Sequence, residues 1–390
     1  MAVNRTVRPR RICVVTGSRA DFGLLAPVMR RIRESSGLEL RVVVAGMHLD
    51  YLHGMTIRDV ERFFPVDARV RMANPDDTGR GMAEALAMGL RGMARALEAL
   101  GPDVVVVLGD RDEALCGALA ASHMAIPIAH IHGGDVSCAG VDDSNRHAIT
   151  KLAHLHFAAT KASLRRILRM GEDPRHAWNL GSPAIDFIAE TRFLTRLEVF
   201  RRLRIPSDQD VLVVIQHPVS YSPATARQEM IEVLEAVRAS GMAAVVIHPN
   251  SDAGSRGIVD AIRRLALPPQ FRMFKSLERE FYLSLLSYAK AMVGNSSSGI
   301  IDAPYFGLPS IQVGCRQAGR ERGANVIEVP PDRKKIAAAI RRACRNGAFR
   351  RAAAGAKSLY GDGRSAEKIA RILAEVVLGP ALVQKKLHYD

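Results

Sequence analysis

Short apolar runs rich in β-branched residues recur along this chain, each followed by a segment with helical spacing, and that alternation admits few folds. Residues 12–16 form the first run, and Leu24, Leu25, Val28, Met29 and Ile32 follow it at helical spacing. Further runs at 41–45, Val104–Leu108 and 126–131 alternate with helical patterns at 81–100, 114–124 and 145–154. A strand that is apolar at every position is buried on both faces, which requires a parallel sheet covered by helices on each side. The first half therefore reads as a doubly wound α/β unit.

The pattern then restarts. A helical linker over 184–203 is punctuated by Ile205-Pro206-Ser207, and strands follow at Val211–Ile215, 244–247, Phe271–Phe274, 291–293, Ser310–Val313 and Val326–Val329. We expect two Rossmann-like domains facing across a cleft, residues 1–185 and 186–365, with a C-terminal helix (365–377) and a peripheral tail in 366–390. That helix can pack on either unit. In open parallel sheets ligands bind at the carboxyl ends of the strands. The unusual polar residues of this chain cluster at those ends.

Composition removes several other classes. A chain of 390 residues, 48% hydrophobic, is neither disordered nor a disulfide scaffold. No apolar run approaches the roughly 20 residues of a membrane span, and the basic N-terminus lacks a signal-peptide core. Five widely spaced cysteines without a CxxC pair fit reduced thiols and a cytoplasmic location. The net charge of +15 comes mostly from dispersed arginines, with no basic stripe interleaved with aromatics, so nucleic acid is not the expected partner. The charge suits attraction of an anionic small molecule.

The strand-end residues point to chemistry. Thr16-Gly17-Ser18-Arg19-Ala20-Asp21 combines a glycine, a helix start and a guanidinium suited to phosphate, although Ser18 or Asp21 also suits a simple cap. Gly109-Asp110-Arg111-Asp112-Glu113 places Asp110 just past an apolar strand, facing the cleft. His130-Ile131-His132-Gly133-Gly134-Asp135 precedes Asp142-Asp143-Ser144-Asn145-Arg146-His147. Strand alternation would put His130 and His132 on one side. With Asp135 and Asp142 they resemble a metal set, but no later His/Cys cluster has ligand spacing, so an acid/base cluster is preferred. In the second unit, strand ends carry His217 in Gln216-His217-Pro218, and Asn250 and Asp252 in a polar loop. Gly294-Asn295-Ser296-Ser297-Ser298-Gly299 supplies N–H groups and hydroxyls for a diphosphate. Asp302 suits ribose hydroxyls, and Arg316 and Arg320 suit the phosphates.

In chain order, GSRAD, LGDRDE, HIHGGD, DDSNRHAITK, QHP, SDAGS, GNSSSG and GCRQAGRERGANVIEVP resemble the hydrolysing UDP-N-acetylglucosamine 2-epimerases. These are the sialic-acid-pathway enzymes and their relatives acting on nucleotide-linked diacetylbacillosamine. The resemblance runs from about residue 12 to residue 330. It implies the glycosyltransferase-B architecture and a nucleotide-sugar substrate. It also implies elimination of the diphosphate across C1–C2, then hydration of the resulting 2-acetamidoglycal with inversion at C2. No NAD, other cofactor or metal is implied, and a homodimer or homotetramer is.

Carried over by resemblance, Asp110 and Asp142 are acid/base residues and His217 acts in the same cleft. Ser296 and Ser297 bind phosphate, Asp302 binds ribose, and Arg316 and Arg19 are cations on the nucleotide side. Arg111, Arg146, His147, Asn250, Asp252, Ser298, Gly299 and Arg320 complete the expected substrate contacts. Members with HIEGGE carry a glutamate where this chain has His132, and Asp135 is a shorter carboxylate than the usual motif end. The base for the C2 proton is therefore one of His132, Asp135 and Asp110. The expected substrate is UDP-N-acetylglucosamine, with a UDP- or GDP-linked diacetamido sugar as the first alternative. A non-hydrolysing epimerase, a glycosyltransferase and a binding module without turnover rank below these. With no ligand set in the sequence, activity is expected to survive EDTA; loss in EDTA restored by a divalent ion would contradict this.

Overall fold

The computed structural model describes residues 8–72, 77–138, 140–265, 267–356 and 358–389. The extreme N-terminus read above for a signal segment lies partly outside them. Two all-parallel sheets form the frame. The first contains β1 (Arg10–Thr16), β2 (Leu38–Ala45), β3 (Ala68–Val70), β4 (Val104–Leu108), β5 (Ile128–Ile131), β6 (Leu155–Ala158) and β7 (Ala177–Asn179), in the order β3-β2-β1-β4-β5-β6-β7. The second contains β8 (Val211–Ile215), β9 (Ala243–Ile247), β10 (Phe271–Phe274), β11 (Ala291–Gly294), β12 (Ser310–Val313) and β13 (Val326–Val329), in the order β10-β9-β8-β11-β12-β13.

Both orders reverse direction at one place, between β1 and β4 and between β8 and β11. Ligand crevices open at such switch points. GSRAD and GDRDE follow β1 and β4; QHP and GNSSSG follow β8 and β11. The central strands are apolar throughout because helices cover both faces: Val14, Val44 and Val106 pack with Leu25 and Met29, while Val15, Val105 and Val107 pack with Met93 and Leu97. β3, β6 and β7 were not foreseen, because runs of three or four residues containing His156, Trp178 or Arg69 carry no strand period. The expected linker helix is two helices, Pro183–Glu190 and Arg196–Leu203.

The chain finishes on the first lobe. Ala366, Ile369 and Leu373 of the helix Ser365–Glu375 join the core of Ile12 and Leu25, and Asp186 caps that helix by accepting from the N–H groups of Ser365 and Ala366 at 3.1 and 2.7 Å. The tail is docked, not peripheral. The Lys385 ammonium donates to the carbonyls of Lys151 and Ala153 at 2.7 and 2.6 Å and pairs with Glu172 at 2.6 Å. It thereby holds the last turn of the helix Val141–Leu152. Among the described residues no helix is long and apolar enough to cross a membrane.

The returning chain meets the outgoing one backbone to backbone. Gly181 has φ +86°, and a Cβ there would lie 2.8 Å from the Gly361 Cα. Replacing Gly181 with Ala adds left-handed strain to overpacking that cannot relax through a side chain. Gly181→Ala is expected to cost about 2 kcal/mol or more in urea unfolding; an unchanged midpoint would contradict this close crossing.

Candidate active site

The site is organised by a guanidinium. Arg146, on the helix Val141–Leu152, is only 1% exposed. It pairs with Asp110, and it donates to the Asp135 carbonyl at 2.9 Å, to Asp143 at 2.5 Å and to Ser137 Oγ at 3.2 Å. Asp110 leaves the end of β4 through Gly109, whose carbonyl accepts from His130 Nε2 at 2.8 Å. Thr150 Oγ1 stands 3.2 Å from the other ring nitrogen of His130. Burial pushes the His130 pKa down to about 3, so the ring is neutral and acts as a strut.

The two candidate acids are set in opposite states. Burial works against the charge of Asp110, but Arg146, with Arg320 and Arg316 behind it, holds its pKa below the usual range. Asp142 is 6% exposed; burial first, then the charges of Asp110 and Asp252, raise it well above the ordinary carboxylate value. The surroundings thus push the two carboxylates apart, Asp110 toward the ionised form and Asp142 toward the protonated one, the split that a general base and a general acid require.

Arg316 joins these acids to the serine loop. Its Nη2 lies 3.2 Å from Asp142 Oδ2, and its Nη1 donates to the Asn295 carbonyl at 3.5 Å, next to Ser296. Asn295 fixes His217: its side chain accepts the His217 N–H at 2.7 Å and donates to the His217 carbonyl at 2.8 Å. The Asn250 N–H donates to His217 Nδ1 at 3.1 Å. That leaves Nε2 as the protonated ring nitrogen of a neutral imidazole, whose pKa burial and then Arg316 and Arg111 depress. Ser296, Ser297 and Ser298 are half-buried, and among the described residues no acceptor meets the N–H groups of Ser296 and Ser297. Gly299 is buried against Ser310 and Gln312.

The other expected contacts have protein partners. Asp302 is bound bidentately by Arg279 at 2.8 and 3.0 Å and accepts from Ser298 at 2.5 Å, so it anchors the loop. The N–H groups of Gly17 and Ser18 are taken by Asp21 at 2.8 and 2.9 Å, so the first strand end carries the cap alternative and its anion nest is filled. Arg19 pairs with Asp59 and reaches Ser276 of the other lobe at 3.0 Å. Arg111 spans the lobes as well, donating to Asp252 at 2.8 Å and Ser251 at 2.9 Å, and Asn250 donates to Asp252 at 2.5 Å. His147 lies 3.3 Å from Asp143.

His130 and His132 do not act as a pair. β5 ends at Ile131, and His132 takes φ +65°, which breaks the alternation. His132 Nδ1 donates to Asp135 at 3.0 Å, and Nε2 lies 2.8 Å from Ser182 Oγ. Asp135 also accepts from Ser163 at 2.7 Å and faces Arg320 at 3.6 Å. With both ring nitrogens and both carboxylate oxygens engaged, the pair is built for support. Ser182, Ser163 and Arg279 went unnoticed in the sequence, and Asn295 was named there without a role of its own. Asn295 alone carried a signal, inside the serine motif.

Two facing parallel sheets with polar residues gathered where their switch points meet define a glycosyltransferase-B-like α/β protein. The UDP-GlcNAc 2-epimerase from Methanocaldococcus jannaschii, solved with UDP-GlcNAc and UDP, has this fold: TM-score 0.80, 18% identity, covering 94% of this chain and all of that one. The Neisseria meningitidis UDP-GlcNAc 2-epimerase superimposes with a TM-score of 0.77 at 17% identity, covering 94% of this chain and 100% of that one. The UDP-N-acetylglucosamine 2-epimerase family model matches residues 30–374. The hydrolysing UDP-N,N'-diacetylbacillosamine 2-epimerase of Legionella pneumophila is 36% identical over 96% of this chain and 98% of its own length. A UDP-N-acetylglucosamine 2-epimerase of Neisseria meningitidis is 35% identical over 87% of this chain and 89% of its own. The chain belongs to the hydrolysing UDP-N-acetylglucosamine 2-epimerase family.

Burial opposes the charge of Asp135, but His132, then Arg320 and Arg146, hold its pKa far below the unfolded value. A depressed carboxylate contributes stability above its unfolded pKa, and that contribution fades as pH falls. Asp135→Asn is expected to cost about 3 kcal/mol at neutral pH, with a penalty that shrinks on acidification below about pH 4. A penalty independent of pH in denaturant titrations would contradict this.

Proposed function

We propose that the protein is a hydrolysing 2-epimerase of a UDP-linked 2-acetamido hexose, releasing UDP and the free 2-epimer. The observation that carries the reading is Asp110 paired with Arg146 and Asp142 bridged by Arg316 to the serine loop, in surroundings that favour the ionised form of Asp110 and the protonated form of Asp142. UDP lies with its pyrophosphate on the N–H groups and hydroxyls of Ser296 and Ser297, and Arg316 offsets the charge that grows as the C1–O bond breaks. Asp110 takes the C2 proton, and the C2–H electrons form the C1–C2 double bond as UDP leaves. Asp142 then delivers a proton to the opposite face of C2 as water bonds C1 and passes its own proton to the Asp142 carboxylate, and Asp110 releases its proton to solvent. The His217 Nε2–H donates a hydrogen bond within the cleft. His132, Asp135 and Arg146 hold these groups in place.

The sequence motifs lead to N-acetylglucosamine as the first candidate for the sugar carried by UDP. The chain-length similarity to the Legionella diacetylbacillosamine enzyme favours a 2,4-diacetamido sugar as the second. In deuterated water the protein is expected to release free 2-epimer carrying deuterium at C2. Sugar that stays on UDP, or retains its C2 hydrogen, would refute the reading. Asp110→Asn is expected to abolish release while leaving the Kd for UDP within about twofold. Ser297→Ala is expected to weaken UDP by about 1 kcal/mol. Calorimetry checks both, and near-normal turnover in Asp110→Asn would remove its role as base.

A further inference from the structure

A cavity of roughly 480 Å³ opens between the ends of β2 and β4 and the loop after β9. The Arg111–Asp252 pair lines it. Asn250 lines it as well and donates its N–H to His217 Nδ1 at 3.1 Å, so the cavity begins one side chain from His217 of the site.

Its inner lining carries acids around one cation, Arg111, which lies 3.5 Å from Glu113 and 2.8 Å from Asp252. Glu113 and Asp252 are buried and Asp112 half-buried, whereas Arg263 and Lys275 stand exposed at the mouth. Glu113 is held there by the absence of side chains opposite: a Cβ on Gly46 would fall 1.9 Å from its Oε1. None of the three loop serines that hold the pyrophosphate in the epimerase reading reaches the cavity. An uncharged group that donates N–H or O–H hydrogen bonds suits it.

The other wall is thioether and methyl. Met47, Met72, Met82 and Ala85 line the cavity from the end of β2, the end of β3 and the helix Gly79–Leu100. Arg111 Nη2 lies 3.6 Å from Met47 Sδ, which ties this wall to the inter-lobe pair. Unbranched methionines fill irregular apolar gaps and accept methyl groups well. Hydroxyl-bearing carbons gain nothing from them.

We propose that this cavity receives the C4–C6 edge of the sugar, and that Met47, Met72 and Met82 select a 4-acetamido-6-deoxy sugar over N-acetylglucosamine. Asp112 and Glu113 accept the N–H of the 4-acetamido group, and the methionines take the acetyl methyl and the C6 methyl. A hydroxymethyl group at C6 and a bare hydroxyl at C4 leave that apolar wall unfilled. The assignment rests on the epimerase reading above.

The test compares kcat/KM for UDP-2,4-diacetamido-2,4,6-trideoxyglucose and UDP-N-acetylglucosamine in the wild-type protein, Met47→Gln, Met82→Gln and Met82→Leu. The wild-type protein is expected to prefer the diacetamido sugar by about tenfold or more, the usual discrimination of an apolar pocket for one or two methyls. Each Gln variant, on a different element, is expected to cut that ratio about tenfold through loss on the diacetamido sugar alone. Met82→Leu should keep it. Release of free sugar with a ratio unchanged in both Gln variants, or a wild-type preference for N-acetylglucosamine, would overturn the assignment and leave the epimerase reading standing. Release from neither nucleotide would overturn both.

Discussion

A guanidinium taken out of water has to be matched on every side, and Arg146 is matched by groups from three segments. Its partners come from the end of β4 (Asp110), the loop after β5 (the Asp135 carbonyl and Ser137) and its own helix (Asp143), while His130 braces the β4 end from inside the sheet. Removing a charged partner from such a group costs about 3–5 kcal/mol, so these segments hold one relative arrangement. The same charge divides the labour of the two aspartates: it keeps Asp110 ionised, and the ionised Asp110 helps to keep Asp142 protonated.

Polar bridges that engage the second lobe include Arg316 to Asp142, Arg111 to Asp252 and Arg19 to Ser276. Each lies beside a strand end at or next to a switch point. The crossing of Gly181 and Gly361 sets where the two chain connections pass, and Ser182, one residue along, reaches His132. The site is therefore built from both lobes.

Much of this was legible from residue order. Parallel sheets followed from strands without a polar face, and the loops after β4, β8 and β11 stood out because polar, glycine-rich stretches interrupt apolar ones. What was not legible is pairing. Arg146 reads like any helical arginine, and only the fold brings Asp110 to it. Asp302 looked like an open acceptor, and the N–H groups of Gly17 and Ser18 like an open anion nest, because their partners, Arg279 and Asp21, are set by tertiary contacts or local turn geometry. The docked tail escaped notice because Lys385 finds Glu172 and the carbonyls of Lys151 and Ala153 only across the first lobe.

The central claim is that two neighbouring aspartates hold opposite protonation states. An infrared titration of the carboxyl stretch, comparing the wild-type protein with Asp110→Asn and Asp142→Asn, tests it directly. The account predicts a protonated-carboxyl band that persists well above the ordinary aspartate range, disappears in Asp142→Asn, and titrates at lower pH in Asp110→Asn. A wild-type spectrum in which both groups ionise together in the ordinary range near pH 4 would contradict it.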